Sequence, residues 1–373
     1  MNAHRLLPVF VSALTLAASA ADPLADAFTT PPPEARPWVW AHWMEGNVDK
    51  ASITRNLEAM QRTGIGGLTL FDIGENTFDK DHNGMPPGPH DYLSPSWREM
   101  FAFEIAEAAR LGLQTMSHAG PGWCGNGGPW ITPELGAQKV VHSETRVKGG
   151  KRYQGKLPQP EANGGFYRDI AVFAVRESDK QRKFRIEDFD FKRVQWLNYV
   201  RWRGTRRAAL DAKAPAGMSI AAKDTINVTA KMKPDGAIAW DAPPGEWTLL
   251  RFGHTWTGQK TFPSPKGGEG PECDKLDPRG VRAHFAHLQE PLAALAGAHK
   301  GREFIAWFLD SWEGGGQNWT ERMPAEFQRR RGYDLTPYLP VLAGRVLNEL
   351  QTTERFLFDL RLTVSELITE NFW

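Results

Sequence analysis

The sequence predicts an α/β chain, a (β/α)8-type barrel that is incomplete and is interrupted by an all-β, sandwich-like insertion. Three observations lead there. Residues 36–138 alternate strand-like apolar runs with runs of helical spacing. Residues 139–262 change to short alternating runs cut by Gly- and Pro-rich turns. The βα pattern resumes over 263–373. Those two βα blocks fall short of the about 250 residues of a complete eight-stranded barrel, so the chain is expected to stop inside one.

The elements follow in order. Pro37–Trp43 reads as a first strand, and Ile53, Leu57 and Met60 repeat at helical spacing until Gly64. Gly67–Asp72 is a second strand. A second helix starts at Ser94-Pro95 and carries Phe101, Ile105, Ala108 and Leu111, and Leu113–His118 is a third strand. In the insertion, Val140–Val147, Ile170–Arg176, Ile226–Lys231 and Trp247–His254 are separated by turns such as Pro234-Asp235-Gly236 and Pro243-Pro244-Gly245. Asp277 is placed to cap a helix with Pro278 at its first position, its apolar face running through Val281, Phe285, Leu288, Leu292 and Leu295. The unbroken apolar run Phe304–Leu309 fits a buried parallel strand. A short helix is expected over Pro324–Arg331, and a last one carries Phe356, Leu360, Val364 and Leu367.

Ahead of these elements, residues 1–20 read as a signal peptide. A polar start at His4-Arg5 precedes an apolar stretch too short to span a bilayer, and Ala18-Ser19-Ala20 offers a small-x-small cleavage site. Residues 21–35 form a Pro-rich leader. The expected location is therefore secreted or periplasmic, with no membrane insertion after signal cleavage. The 45 Lys+Arg and 44 Asp+Glu nearly balance, and no basic stripe calls for nucleic acid. Cys124 and Cys273 fall in loops assigned to one barrel face, and the sequence leaves open whether they pair. Two sequons, at Asn227 and Asn318, carry no argument. No nucleotide-binding spacing is present.

Chemistry concentrates where strands end. Carboxylates at the C-terminal ends of barrel strands are catalytic candidates. Asp310 follows the apolar run directly, Glu313 lies three residues on, and Trp307 and Trp312 flank them. Desolvation by the indoles would raise a carboxyl pKa, the property of a group that protonates a leaving oxygen near neutrality. Three loops are expected on the same face. They carry Asp72, then His118 with Trp123 and Trp130 around Gly127-Gly128, then Asp274 with Lys275. Glycine permits close backbone approach and Trp stacks on sugar rings; the chain has 15 Trp against 6 Tyr. Trp40, on the first strand, joins this set of ligand-contact candidates. Asp72, Asp274 and Asp310 offer the oxygen donors that Ca²⁺ prefers. No His spacing supports a transition metal, and no metal ligand is assigned.

Several segments, taken in order, resemble glycoside hydrolase family 106. They are Trp38–Trp43 with Gly64–Gly67, Gly127–Ile131, Cys273–Leu276, and Phe308–Glu313 with Gln317–Thr320. Arg331–Leu335 and Tyr338–Pro340 continue the match. The resemblance implies an exported α-L-rhamnosidase-like enzyme acting on oligo- or polysaccharide by inversion. It implies a β/α barrel with appended β domains and a bound calcium ion. Glu313 matches the position of the general acid, with Asp310 as a substrate or calcium contact. His118, Trp123, Trp130, Asp274 and Lys275 would form the sugar subsite. The water-activating carboxylate is expected from a later barrel segment. The rival expectation is a non-catalytic carbohydrate-binding protein, or an inactive fragment that lacks this second carboxylate.

Overall fold

The computed structural model describes residues 22–74, 86–195, 214–310, 312 and 315–372. The expected signal peptide and Glu313 lie outside the described residues.

The chain is mixed α/β. A short helix α1 (Pro23–Thr29) occupies the leader, and the core begins with β1 (Trp38–Met44), α2 (Lys50–Arg62), β2 (Gly67–Ile73), α3 (Pro95–Arg110) and β3 (Gln114–His118). The antiparallel part contains β4 (Gln138–Lys148), β5 (Arg152–Lys156), β6 (Arg168–Arg176), β7 (Thr225–Asn227), β8 (Ala237–Asp241) and β9 (Glu246–Trp256). Short helices α4 (Asp179–Lys183) and α5 (Phe189–Lys192) lie between β6 and β7. Helices α6 (Pro278–His284) and α7 (Glu290–Leu295) precede β10 (Phe304–Phe308). The chain then continues through α8 (Met323–Arg331), α9 (Leu339–Leu342) and α10 (Leu350–Phe372).

Local chemistry starts the helices where the sequence places them. The Asp49 carboxylate accepts the Ser52 N–H in a reciprocal capping box at α2. Ser94 accepts the Trp97 N–H with Pro95 at the first turn of α3, and Asp277 accepts the Arg279 N–H with Pro278 likewise placed in α6.

Strands β1, β2, β3 and β10 pair in that order, all parallel. They form an open sheet, with no closed barrel among the described residues. One face is covered by helices. Val39, Ala41 and Trp43 of β1, Leu68 and Leu70 of β2, and Phe304 and Trp307 of β10 pack with Trp97, Phe101 and Ile105 of α3 and with Leu288 and Leu292. The other face carries Trp40, His42, Phe71, His118 and Phe308.

The segment Phe285–Gln289 between α6 and α7 is π-helical. Its wider i→i+5 turn changes which side chains point inward. Gly280, His284, Leu288, Leu292 and Ala296 are buried, a spacing of four throughout, whereas Phe285 and Leu295 are exposed. The apolar face expected from a regular helix therefore breaks at Phe285.

The antiparallel part consists of a four-stranded sheet, β4-β9-β6-β7, and a two-stranded ribbon, β5-β8. The ribbon covers one face, with Ile238 and Trp240 against Val172, Ala174, Trp247 and Leu249. The alternate residues Phe173, Val175, Leu250 and Phe252 meet Phe327 of α8 and Phe356 and Leu360 of α10. Burial on both faces explains why β9 is buried from Trp247 to Trp256. Each large apolar side chain fully buried in this second core contributes roughly 1.5–3 kcal/mol of transfer free energy. The helices after β10 thus pack on the antiparallel sheet. Arg345 ties the junction, its guanidinium reaching Glu177 at 2.8 Å and Glu144 at 2.7 Å. Asn318 does the same beyond β10, accepting the Val140 N–H at 2.9 Å and donating to the Arg193 carbonyl. Its side chain is buried, so the Asn318 sequon is inaccessible in the fold.

Candidate active site

The C-terminal ends of β1, β2, β3 and β10 share one edge of the parallel sheet. Strand alternation sends Trp40, His42, Phe71, His118 and Phe308 to the uncovered face. Phe71 stacks on His118 with ring centroids 4.6 Å apart, and Trp40 leans on Phe71 at 5.0 Å. Trp123, from the loop after β3, sits 5.5 Å from His42 and 6.3 Å from Trp40. Trp40 keeps 51% of its surface exposed, which makes a flat, amphipathic platform of the kind that stacks on sugar rings.

His118 is the polar centre of this face. Its Nδ1–H donates to the Gly120 carbonyl at 2.7 Å. A carbonyl can only accept, so the proton is on Nδ1 and Nε2 presents a lone pair. That Nε2 is buried and has no hydrogen-bond partner among the described residues. Burial pushes the His118 pKa down to about 4, opposed by its bond to Gly120 and by the Asp310 charge nearby. At neutral pH the ring is therefore an acceptor for a hydroxyl and a poor proton donor. A general acid at this face would have to be another group.

The loop after β3 is fastened from the other side. His284, at the end of α6, donates Nε2–H to the Ala119 carbonyl at 2.6 Å. Its Nδ1 accepts the Gly127 N–H at 3.1 Å and the Trp130 indole N–H at 3.3 Å. Gly127 has φ +117°, and a Cβ there would stand 2.6 Å from the Pro271 carbonyl oxygen, so this close approach requires glycine. The sequence reading missed His284. Its signal was a histidine in helical phase with Leu288 and Leu292.

The other candidates are placed differently. Asp72 points to the helix-covered side, where it accepts the Trp97 indole N–H at 2.6 Å; burial raises its pKa to about 7. Trp130 stacks on His287 at 4.7 Å and on His284 at 5.8 Å. Asp274 is buried and accepts from the Leu276 N–H and the Gln317 amide; burial raises its pKa to about 7. Lys275 forms a buried ion pair with Glu272, and its ammonium lies 5.3 Å from the Trp312 ring. Each of these four side chains has a partner within the fold, Trp97, His284, Gln317 and Glu272 respectively. Trp307 packs against the helices, so of the two flanking indoles only Trp312 remains on the loop side. Asp310 is half-buried just past β10, where its charge acts on His118.

Cys124 and Cys273 are both free and buried. Among the described residues no three His, Cys, Asp or Glu side chains cluster to hold a metal ion. A cavity of about 610 Å³ lies between α6, α8 and α10, lined by Arg282, Arg322 and Arg329 with Glu326 and Glu370. It shares no residue with the sheet edge.

With this geometry in view, comparison with known proteins is decisive. The family model described as alpha-L-rhamnosidase, glycoside hydrolase family 106, matches residues 29–189 and 177–373. The chain belongs to this family. A Formosa agariphila protein named "Putative beta-glucuronidase" is 41% identical over 353 residues, covering 94% of this chain and 29% of that relative. Among solved structures, the rhamnosidase from Novosphingobium sp. PP1Y superposes with a TM-score of 0.72 at 26% identity, covering 92% of this chain and 45% of that one. The chain thus spans less than half the length of each. No described helix is long and apolar enough to cross a membrane.

Proposed function

We propose that the chain forms the sugar-binding face and supplies the acid of an inverting, α-L-rhamnosidase-like glycosidase acting on terminal sugars of oligo- or polysaccharides. The observation that carries the reading is His118. It is a buried, neutral imidazole with a bare acceptor nitrogen, set in an aromatic face at the strand ends and under the charge of Asp310. A sugar stacked on Trp40 and Trp123 would give a hydroxyl to His118 Nε2. Glu313, three residues past Asp310, would protonate the leaving oxygen, because the imidazole is too weak a base to hold a proton for transfer near neutrality. In this reading the parallel sheet is one side of a (β/α)8 barrel interrupted by the antiparallel insertion. Asp72, Trp130, Asp274 and Lys275 support the loops. Residues 1–20 direct export, which N-terminal sequencing of the mature protein would check by finding a start after Ala20.

The test is hydrolysis of aryl α-L-rhamnoside, with aryl β-D-glucuronide in parallel because of the name of the Formosa relative. Release of the aryl group from the rhamnoside, with the sugar first appearing in the inverted anomeric form, is the expected result. A second reading, non-catalytic sugar binding, rests on the aromatic face of Trp40, Trp123 and His118, which can hold a sugar without a reacting carboxyl group. Binding of methyl α-L-rhamnoside without any hydrolysis would establish it instead.

A further inference from the structure

His118 and His284 hold neighbouring peptides of the same strand exit, Gly120 and Ala119. His284 is 2% exposed and belongs to α6, outside the loop it grips. Its three polar contacts use every hydrogen-bonding position of one neutral tautomer. Nε2–H is spent on Ala119, and the Nδ1 lone pair is shared by Gly127 and Trp130. The ring is also stacked on Trp130 at an interplanar angle of 24°. Residues 119–130, which include Trp123, are therefore pinned at both ends to a single side chain. The carbonyl held by His284 adjoins the one that fixes the His118 tautomer.

We infer that His284 is a positioning residue: by clamping Ala119, Gly127 and Trp130 it holds the Gly120 carbonyl against His118 Nδ1, and so keeps His118 Nε2 bare toward the sugar. The inference rests on reading the open face as sugar-binding. The side chain touches no substrate and acts only through the loop. Burial, the larger cause, and His118 and His287 nearby lower its pKa to about 4, while the Ala119 bond opposes them. This agrees with a ring that stays neutral and a clamp that stays closed at neutral pH.

The experiment uses the chain labelled with ¹⁵N-histidine at pH 7. Long-range proton–nitrogen correlations are expected to show His118 as the Nδ1–H form and His284 as the Nε2–H form. His284→Phe keeps a ring against Trp130 but removes all three hydrogen bonds. Its expected effects are a mixed tautomer at His118 and an affinity for methyl α-L-rhamnoside about tenfold lower, the size of one well-made polar contact. His284→Gln supplies a donor and an acceptor and should recover most of the affinity. A folded His284→Phe protein with wild-type affinity and an unchanged His118 signal would overturn the inference. Should that variant not fold, an Nδ1–H His284 in the wild-type spectrum would overturn it, and the expected tautomers together with recovery in His284→Gln would support it. If the wild-type chain binds no sugar, the proposed function fails, while the His118 tautomer in His284→Phe still tests the clamp.

Discussion

The Asp72 carboxyl accepts the Trp97 indole N–H at 2.6 Å on the helix-covered side of the parallel sheet. This fixes what Asp72 does: it satisfies a buried indole and faces away from the aromatic platform. Burial raises its pKa from an ordinary 3.8 to about 7. The folded state then holds a proton that the unfolded chain releases, so stability is lost as pH rises from about 4 through 7. Asp72→Asn keeps an acceptor for Trp97 and cannot ionise. Its melting temperature relative to wild type should climb across that window and level off above it, with sugar affinity unchanged. Thermal melts from pH 4 to 8 check the first point. A loss of sugar binding in the folded variant would return Asp72 to the site.

His118→Asn separates two roles of one imidazole. An asparagine amide reaches the region of Nδ1 and can still donate to Gly120, but nothing replaces Nε2. The variant should melt within a few degrees of wild type and bind methyl α-L-rhamnoside about tenfold more weakly, as expected for a lost acceptor. Titration followed by tryptophan fluorescence, reporting through Trp123 and Trp40, reads this directly.

Arg345 joins the antiparallel sheet to the C-terminal helices through Glu144 and Glu177, with its own side chain only 4% exposed. Arg345→Met leaves the buried Glu177 carboxylate, and the partly exposed Glu144, without their cation. The expected cost is about 3–5 kcal/mol of unfolding free energy, measured by denaturant titration. A loss below 1 kcal/mol would show that the junction does not depend on this ion network.

The two thiols offer a chemical check. Burial pushes the Cys273 pKa up to about 12, and Cys124 higher still. Both are held as neutral thiols, and thiolate is the reactive form. A disulfide-exchange reagent at pH 8 should label neither cysteine in the folded chain and both in denaturant. An intact mass two hydrogens lighter would reveal a bridge.

Much of this fold was legible because its signals are local. Asp49, Ser94 and Asp277 cap their helices through contacts within a few residues, and the apolar run of β2 announces a buried parallel strand; β10 pairs in parallel as expected, but at the edge of the described sheet it leaves Ile305 and Leu309 exposed, so the burial expected for Phe304–Leu309 is not met. The identity of the partner faces was not legible. Phe356 and Leu360 mark an apolar stripe, but nothing in their spacing says that it meets Leu250 and Phe252, about a hundred positions earlier, and not the parallel sheet. The site divides in the same way. His118, Trp123 and Trp40 follow from strand alternation and from the loop after β3. Trp130, Asp274 and Lys275 look like ligand contacts in sequence because Trp, Asp and Lys serve binding and loop support equally well. Only their hydrogen-bond and stacking partners distinguish the two uses. His284 lay on the expected face, three residues after Val281 and four before Leu288, but a lone histidine there reads as core as readily as a clamp.

The most direct test of the central claim uses a full-length protein that carries the later water-activating carboxylate and compares wild type with Glu313→Gln on aryl α-L-rhamnoside, with binding of the methyl glycoside measured alongside. Removing a general acid costs typically 10²–10⁴-fold in rate. Turnover should fall by about that factor while affinity for the methyl glycoside is unchanged. Wild-type turnover in Glu313→Gln would contradict the account.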